Sequence, residues 1–136
     1  MELVRVHALA FDGTVARLSF STGEVLEIDF AERVKNRPKL RPILEVLNQG
    51  CVVDGGIAVE WPCGIDVDAQ SLHGTALGMS VRWWRKRHGL SQAKAGEALG
   101  ISGRMIQFYE SGEQPVTKTI ILAMRGYDAL KSDAAD

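Results

Sequence analysis

The first thirty residues carry strand-like patterning, and the chain after about position 70 carries helical patterning. Leu3 to Phe11 (LVRVHALAF) is rich in strand formers. Thr14 to Phe20 alternates, with Val15, Leu18 and Phe20 largely apolar, and Glu24 to Phe30 (EVLEIDF) returns in the same way. Asp12-Gly13 supplies a tight hairpin turn and Ser21-Thr22-Gly23 a second, so the spacing predicts a three-stranded antiparallel meander. Ala31 to Lys35 reads as a helical turn broken by Pro38. Arg41 to Leu47 has apolar residues at helical spacing, with Pro42 tolerated in a first turn. Cys51 to Val53 and Ile57 to Trp61 read as two more strands around Asp54-Gly55-Gly56.

From Gly89 to Gly112 (GLSQAKAGEALGISGRMIQFYESG) the pattern is two short helices joined by a tight turn. Ser91 is placed to cap the first and Ser102 the second, since a serine hydroxyl accepts a bond from an orphan amide of the next turn. Gly96 in mid-helix costs about 0.5–1 kcal/mol relative to alanine, which implies a close crossing by the second helix. Gly100 suits a left-handed helix end, and Gly112 with Pro115 ends the second helix. Ile101, Ile106 and Tyr109 are the expected buried positions, matched by Ala95 and Leu99. Gly103, Arg104, Gln107 and Phe108 are left on an outward face. A helix-turn-helix of this kind makes double-stranded DNA the leading candidate partner. Val116 to Leu130 supplies one more helix, with Ile120, Ile121 and Met124 inward, and Lys131 to Asp136 is expected to be frayed.

Leu77 to Leu130 resembles the phage-repressor-like (Cro/C1, or Xre) helix-turn-helix family. The resemblance is carried by Arg85, Gly89-Leu90-Ser91-Gln92, Gly96, Leu99-Gly100-Ile101-Ser102, Ile106, Tyr109-Glu110-Ser111-Gly112 and Pro115. It implies an all-α lambda-repressor-like domain in which Arg85 pairs with Glu110. It also implies that Gln92 touches the DNA backbone or a base, and that Gly103, Arg104, Gln107 and Phe108 face the major groove. Two departures are Ala95, where the family has leucine, and Gly96, where it has alanine. They predict a deficit of apolar volume that Trp83 and Trp84 would fill, Trp84 inward with Val81 and Trp83 at the rim. Gly103 cannot read a base edge, so direct readout would rest on Arg104 and then Gln107. For Arg104, a phosphate contact or a solvated charge is an equal alternative.

Charge divides the chain further. Up to Gly74 there are seven basic and eleven acidic residues, a net of −4; beyond it there are nine and six, a net of +3. Arg82, Arg85, Lys86 and Arg87 precede the motif, and Lys94, Arg104 and Lys118 surround it. Leu3 to Leu72 resembles domain of unknown function 2442, through Phe20 to Gly23, Val25, Asp29 and Trp61-Pro62-x-Gly64-x-Asp66-Val67 leading to Leu72, with Ala69 in place of a proline. That resemblance implies a small α+β domain with no established activity. Members fused to helix-turn-helix domains, or found in toxin–antitoxin pairs, make a toxin partner an open alternative. The expected organisation is α+β: residues 1–74 as a small antiparallel β-meander domain with helices, and 75–136 as the helix-turn-helix domain, joined at Gly74 to Gly78.

Other chemistry is thinly represented. Asp66 and Asp68 point the same way on an extended segment, which reads as a solvated pair or a cap by Asp68 rather than a metal or acid–base site. His7, His73 and His88 are scattered, without zinc-ligand spacing. Cys51 and Cys63 are expected to be free buried thiols of a reducing compartment. No phosphate loop or nucleophile–base constellation is present, so neither an enzyme nor a cofactor or metal is expected. No secretory or membrane-spanning segment is read, which predicts a cytoplasmic protein. The sequence thus points to a sequence-specific DNA-binding regulator. Gln92, Lys94 and Ser102 would position it on phosphates, Arg104 and Gln107 would read bases, and a homodimer would pair through the N-terminal sheet edge.

Overall fold

A computed structural model describes residues 3–135. The chain divides into two compact units, Met1–Met79 and Ser80–Asp136. The first is mixed α+β and the second is helical.

In the first unit, β1 (Val6–Asp12), β2 (Val15–Phe20) and β3 (Val25–Asp29) form an antiparallel meander in that order. The hairpin register pairs Asp12 with Val15, and Ala16 pairs with Ile28 across the next ladder. Side chains alternate across a strand, so Ala16, Leu18 and Phe20 share the buried face of β2. Val15 has the opposite parity and is only half-buried. Asp29 caps α1 (Phe30–Asn36) by accepting from Ala31 N at 3.0 Å. Phe30 and Val34 face the core.

Pro38–Gln49 is a 3-10 segment kinked at Val46, not the α-helix expected over Arg41 to Leu47. Pro38 and Pro42 remove two amide donors, and Leu40, Ile43 and Val46 recur every third residue, the period of a 3-10 turn. Ile43 and Leu47 are buried. A second small antiparallel sheet follows: β4 (Cys51–Val53), β5 (Ala58–Glu60) and β6 (Asp66–Asp68). Trp61, at the end of β5, is buried; its indole donates to Leu47 O at 3.0 Å and meets the Phe30 ring edge-on at 5.6 Å. Both cysteines are free but exposed, against the expectation of burial. Cys51 lies on a short outer strand, and Cys63 lies in the turn closed by Gly64 N–H to Trp61 O.

Asp68 accepts from the Ser71 amide and hydroxyl at 3.2 and 2.6 Å, which caps α2 (Ala69–Arg87). Gly74 to Gly78 lies inside this helix rather than forming a junction. Each helical glycine costs about 1 kcal/mol, and the buried stripe Ala69, Leu72, Ala76 and Met79 offsets it. α2 contributes residues through Met79 to the first unit and the rest to the second.

The second unit continues with α3 (Gln92–Leu99), α4 (Gly103–Ser111) and α5 (Lys118–Ala135). Its buried core includes Val81, Trp84, Ala95, Ile106, Tyr109 and Met124, while Leu99, Ile101 and Ile121 are half-buried. Trp84 is buried as expected. Its indole donates to Asp128 at 2.9 Å and its ring meets Tyr127 edge-on at 5.3 Å, fastening α2 to α5. Trp83 is half-buried. Lys131 to Ala135, expected to fray, belongs to α5; Asp136 lies outside the described residues. Among the described residues no helix is long and apolar enough to cross a membrane.

Candidate nucleic-acid interface

The α3–α4 pair is built from local signals. Ser91 accepts from Lys94 N at 3.1 Å and Ser102 from Met105 N at 3.1 Å, so each helix starts on a side-chain cap. α3 ends on Gly100 at φ +78°, with Gly100 N–H bonding Glu97 O and Ile101 N–H bonding Gly96 O, a Schellman ending. α4 ends on Gly112 at φ +84°.

Two glycines set how closely the helices approach. A Cβ on Gly96 would lie 2.6 Å from Ile101 O and 2.8 Å from Gly103 N. The space beside Gly96 is therefore occupied by backbone rather than left as a void. A Cβ on Gly103 would lie 3.0 Å from Ala93 Cα. Gly103 thus lets the start of α4 abut the start of α3, a packing reason that its place on the outward face did not reveal.

That approach places Gln92, Ala93, Gly103, Arg104, Gln107 and Phe108 around one open depression. Of the expected site residues, Gln92, Gly103, Arg104, Gln107 and Phe108 are brought together there. Lys94 and Ser102 are exposed in the first turn of α3 and at the cap of α4. Arg104 is held over the Phe108 ring at 5.3 Å from its centroid, a cation–π contact that restrains the guanidinium. Ala93 was missed because alanine carries no chemical signal; only its proximity to Gly103 places it in the depression.

The surrounding cations divide into structural and surface groups. Arg85 makes a bidentate pair with Glu110, at 2.7 Å from Nε and 2.9 Å from the terminal nitrogen, and donates to Leu90 O at 3.1 Å. The Glu110 hydrogen bond raises the Arg85 pKa against the opposing effect of burial. Arg87 reaches Asp128 at 3.2 Å. Lys86, Lys94, Arg104 and Lys118 are exposed; Lys94 lies 3.5 Å from Glu97. Two capped helix N-termini, exposed lysines and an arginine over an aromatic ring can hold phosphate oxygens and reach a base edge.

No curated protein matches the chain. A solved structure from Nitrosomonas europaea ATCC 19718, described as a "Putative DNA Binding Protein", is 30% identical over 93% of this chain and 88% of that one, with a TM-score of 0.41. Residues 81–126 match the family model described as "Helix-turn-helix". That match does not extend to Leu3 to Leu72, whose resemblance to domain of unknown function 2442 stays an expectation. The segment 81–126, with its capped α3–α4 pair and its Arg85–Glu110 clasp, is an Xre-like helix-turn-helix domain.

Proposed function

We propose that the protein binds double-stranded DNA sequence-specifically and acts as a transcriptional regulator, with α4 entering the major groove. The observation that carries this reading is the open outward depression of the matched segment, where Gln92, Arg104, Gln107 and Phe108 converge between two capped helix starts. Arg104 suits guanine O6 and N7, and Gln107 suits adenine N6 and N7. Phe108 offers an apolar edge to a thymine methyl. Gly103 brings the α4 backbone near the groove, while Gln92, Lys94 and the hydroxyl of Ser102 position the domain on phosphates.

One recognition helix spans only a few base pairs, so the proposal includes a homodimer on two half-sites. The outer edge of β3, with exposed Val25, is the pairing surface. Solution mass free and on DNA checks this; a monomer in both states sinks the dimer but leaves DNA binding standing.

The main test is binding to the DNA upstream of the protein's own gene against a scrambled duplex, across a salt series, beside Arg104→Ala. Preference for the upstream DNA, lost in the variant, supports specific regulation. Equal weak binding to both duplexes overturns it.

A further inference from the structure

We propose that the first unit carries a pocket for a small organic anion, a carboxylate- or phosphate-bearing molecule with a short apolar part, seated against Arg33, Arg37 and Lys39. The site belongs to the first unit and the α3–α4 surface to the second; the inference goes beyond the DNA-binding reading, which it does not require.

The pocket has a volume of roughly 270 Å³. One wall carries Arg33 from α1, Arg37 at its C-cap and Lys39 at the start of the 3-10 segment. The lining also includes Asp66 and Asp68 of β6 and Ser71 from the first turn of α2. Leu40 and Val67 give it apolar surface. A smaller adjoining hollow shares Arg33, Leu40, Val67 and Ser71 and runs onto the apolar side chains of Phe30 and Leu72. A pocket with apolar lining and a few convergent charges is the usual form of a small-molecule site.

The three cations of the lining make no direct ion pair with its two carboxylates. Among the described residues, no ion pair or side-chain hydrogen bond engages Arg33, Arg37, Lys39 or Asp66, and Asp68 is occupied by Ser71. Arg33 is half-buried; burial and then the neighbouring Arg37 charge push its pKa down. A partly desolvated guanidinium beside a second cation is unfavourable unless an anion joins them. A planar carboxylate or a phosphate matches two arginines in bidentate fashion. The apolar remainder of the ligand fits against Leu40 and Val67, and Asp66 would accept from a donor at its far end.

The test uses the full chain without DNA, so its failure leaves the DNA-binding reading untouched. Backbone amide NMR would follow titration with hexanoate, inorganic phosphate and hexylamine. Saturable shifts confined to residues 33–40 and 66–71 are expected with hexanoate, phosphate or both, and their relative affinity assigns the anion class. Arg33→Gln should abolish them. The exposed Arg37→Gln and Lys39→Gln, which threaten folding least, should each weaken binding about tenfold, the equivalent of one charge-assisted hydrogen bond. No saturable binding of either anion, equal binding of hexylamine, or affinity unchanged in the Arg37 and Lys39 variants would overturn the proposal.

Discussion

Two glycines and one ion pair set the local geometry of the helix-turn-helix. Gly96→Ala would gain up to about 1 kcal/mol of helix propensity, but its new methyl would meet the Ile101 carbonyl and the Gly103 amide, both backbone atoms with little room to yield. A net loss of about 1–3 kcal/mol is expected, read as a lower urea midpoint. Gly103→Ala should cost less, because its nearest contact is 3.0 Å away rather than 2.6 Å; the reverse order would show that the helix crossing is looser than described. The Arg85–Glu110 pair is largely sheltered, with side chains 14% and 8% exposed. Removing one partner strands the other, so Arg85→Met or Glu110→Gln alone should cost about 3–5 kcal/mol, and the double variant less than their sum. A double-mutant cycle with no coupling would demote the pair to surface decoration. The reason for Gly96 was legible in the sequence, since a glycine in mid-helix asks for a neighbour. The reason for Gly103 was not, because Ala93 lies ten residues earlier and only the folded turn brings them together.

At the scale of elements, α5 is fastened to the end of α2 through one carboxylate. Asp128 accepts from Trp84 at 2.9 Å and from His88 at 2.6 Å, with Arg87 at 3.2 Å. Burial raises its pKa, but the bonds from His88 and Trp84 and the Arg87 charge outweigh it, and the net direction is down. A carboxylate depressed on folding contributes stability that is fully present above its ordinary value, about 3.9, and is lost as pH falls through the depressed value. Asp128→Asn should therefore lower thermal stability at neutral pH and flatten the decline below about pH 4. An acid limb unchanged from the parent would remove Asp128 from the account. Because the side chain is 39% exposed, solvent screening keeps the effect modest. This fastening was invisible in sequence because its members are some forty residues apart. By contrast, β1 to β3 and the α3–α4 pair were legible, since Asp12-Gly13, Ser91, Gly100 and Ser102 act on their immediate neighbours. The 3-10 segment reads as an α-helix because its buried residues Ile43 and Leu47 are four apart, the α-helical spacing, whereas the prolines and the kink at Val46 break that helix, and β6 was too short to announce itself.

For the whole molecule, the change of charge sign was legible, but the helix that runs from Ala69 to Arg87 through the division at Met79 was not, because it carries no linker composition. The acidic first part and basic second part predict that DNA binding is electrostatic in affinity and local in specificity. The slope of log affinity against log salt scales with the phosphates neutralised, at about 0.9 per contact. Lys94 is exposed beside the cap of α3, so Lys94→Gln should weaken binding similarly on every sequence and reduce that slope by about 1. Arg104, held over Phe108 at the depression, should behave differently. Arg104→Ala is expected to cost about 1–3 kcal/mol on the preferred site and to narrow the gap to scrambled DNA. Fluorescence anisotropy of both variants on both duplexes, from low to moderate salt, separates the two roles. If Arg104→Ala instead weakens both duplexes equally and lowers the slope, Arg104 is a phosphate contact, and base reading passes to Gln107.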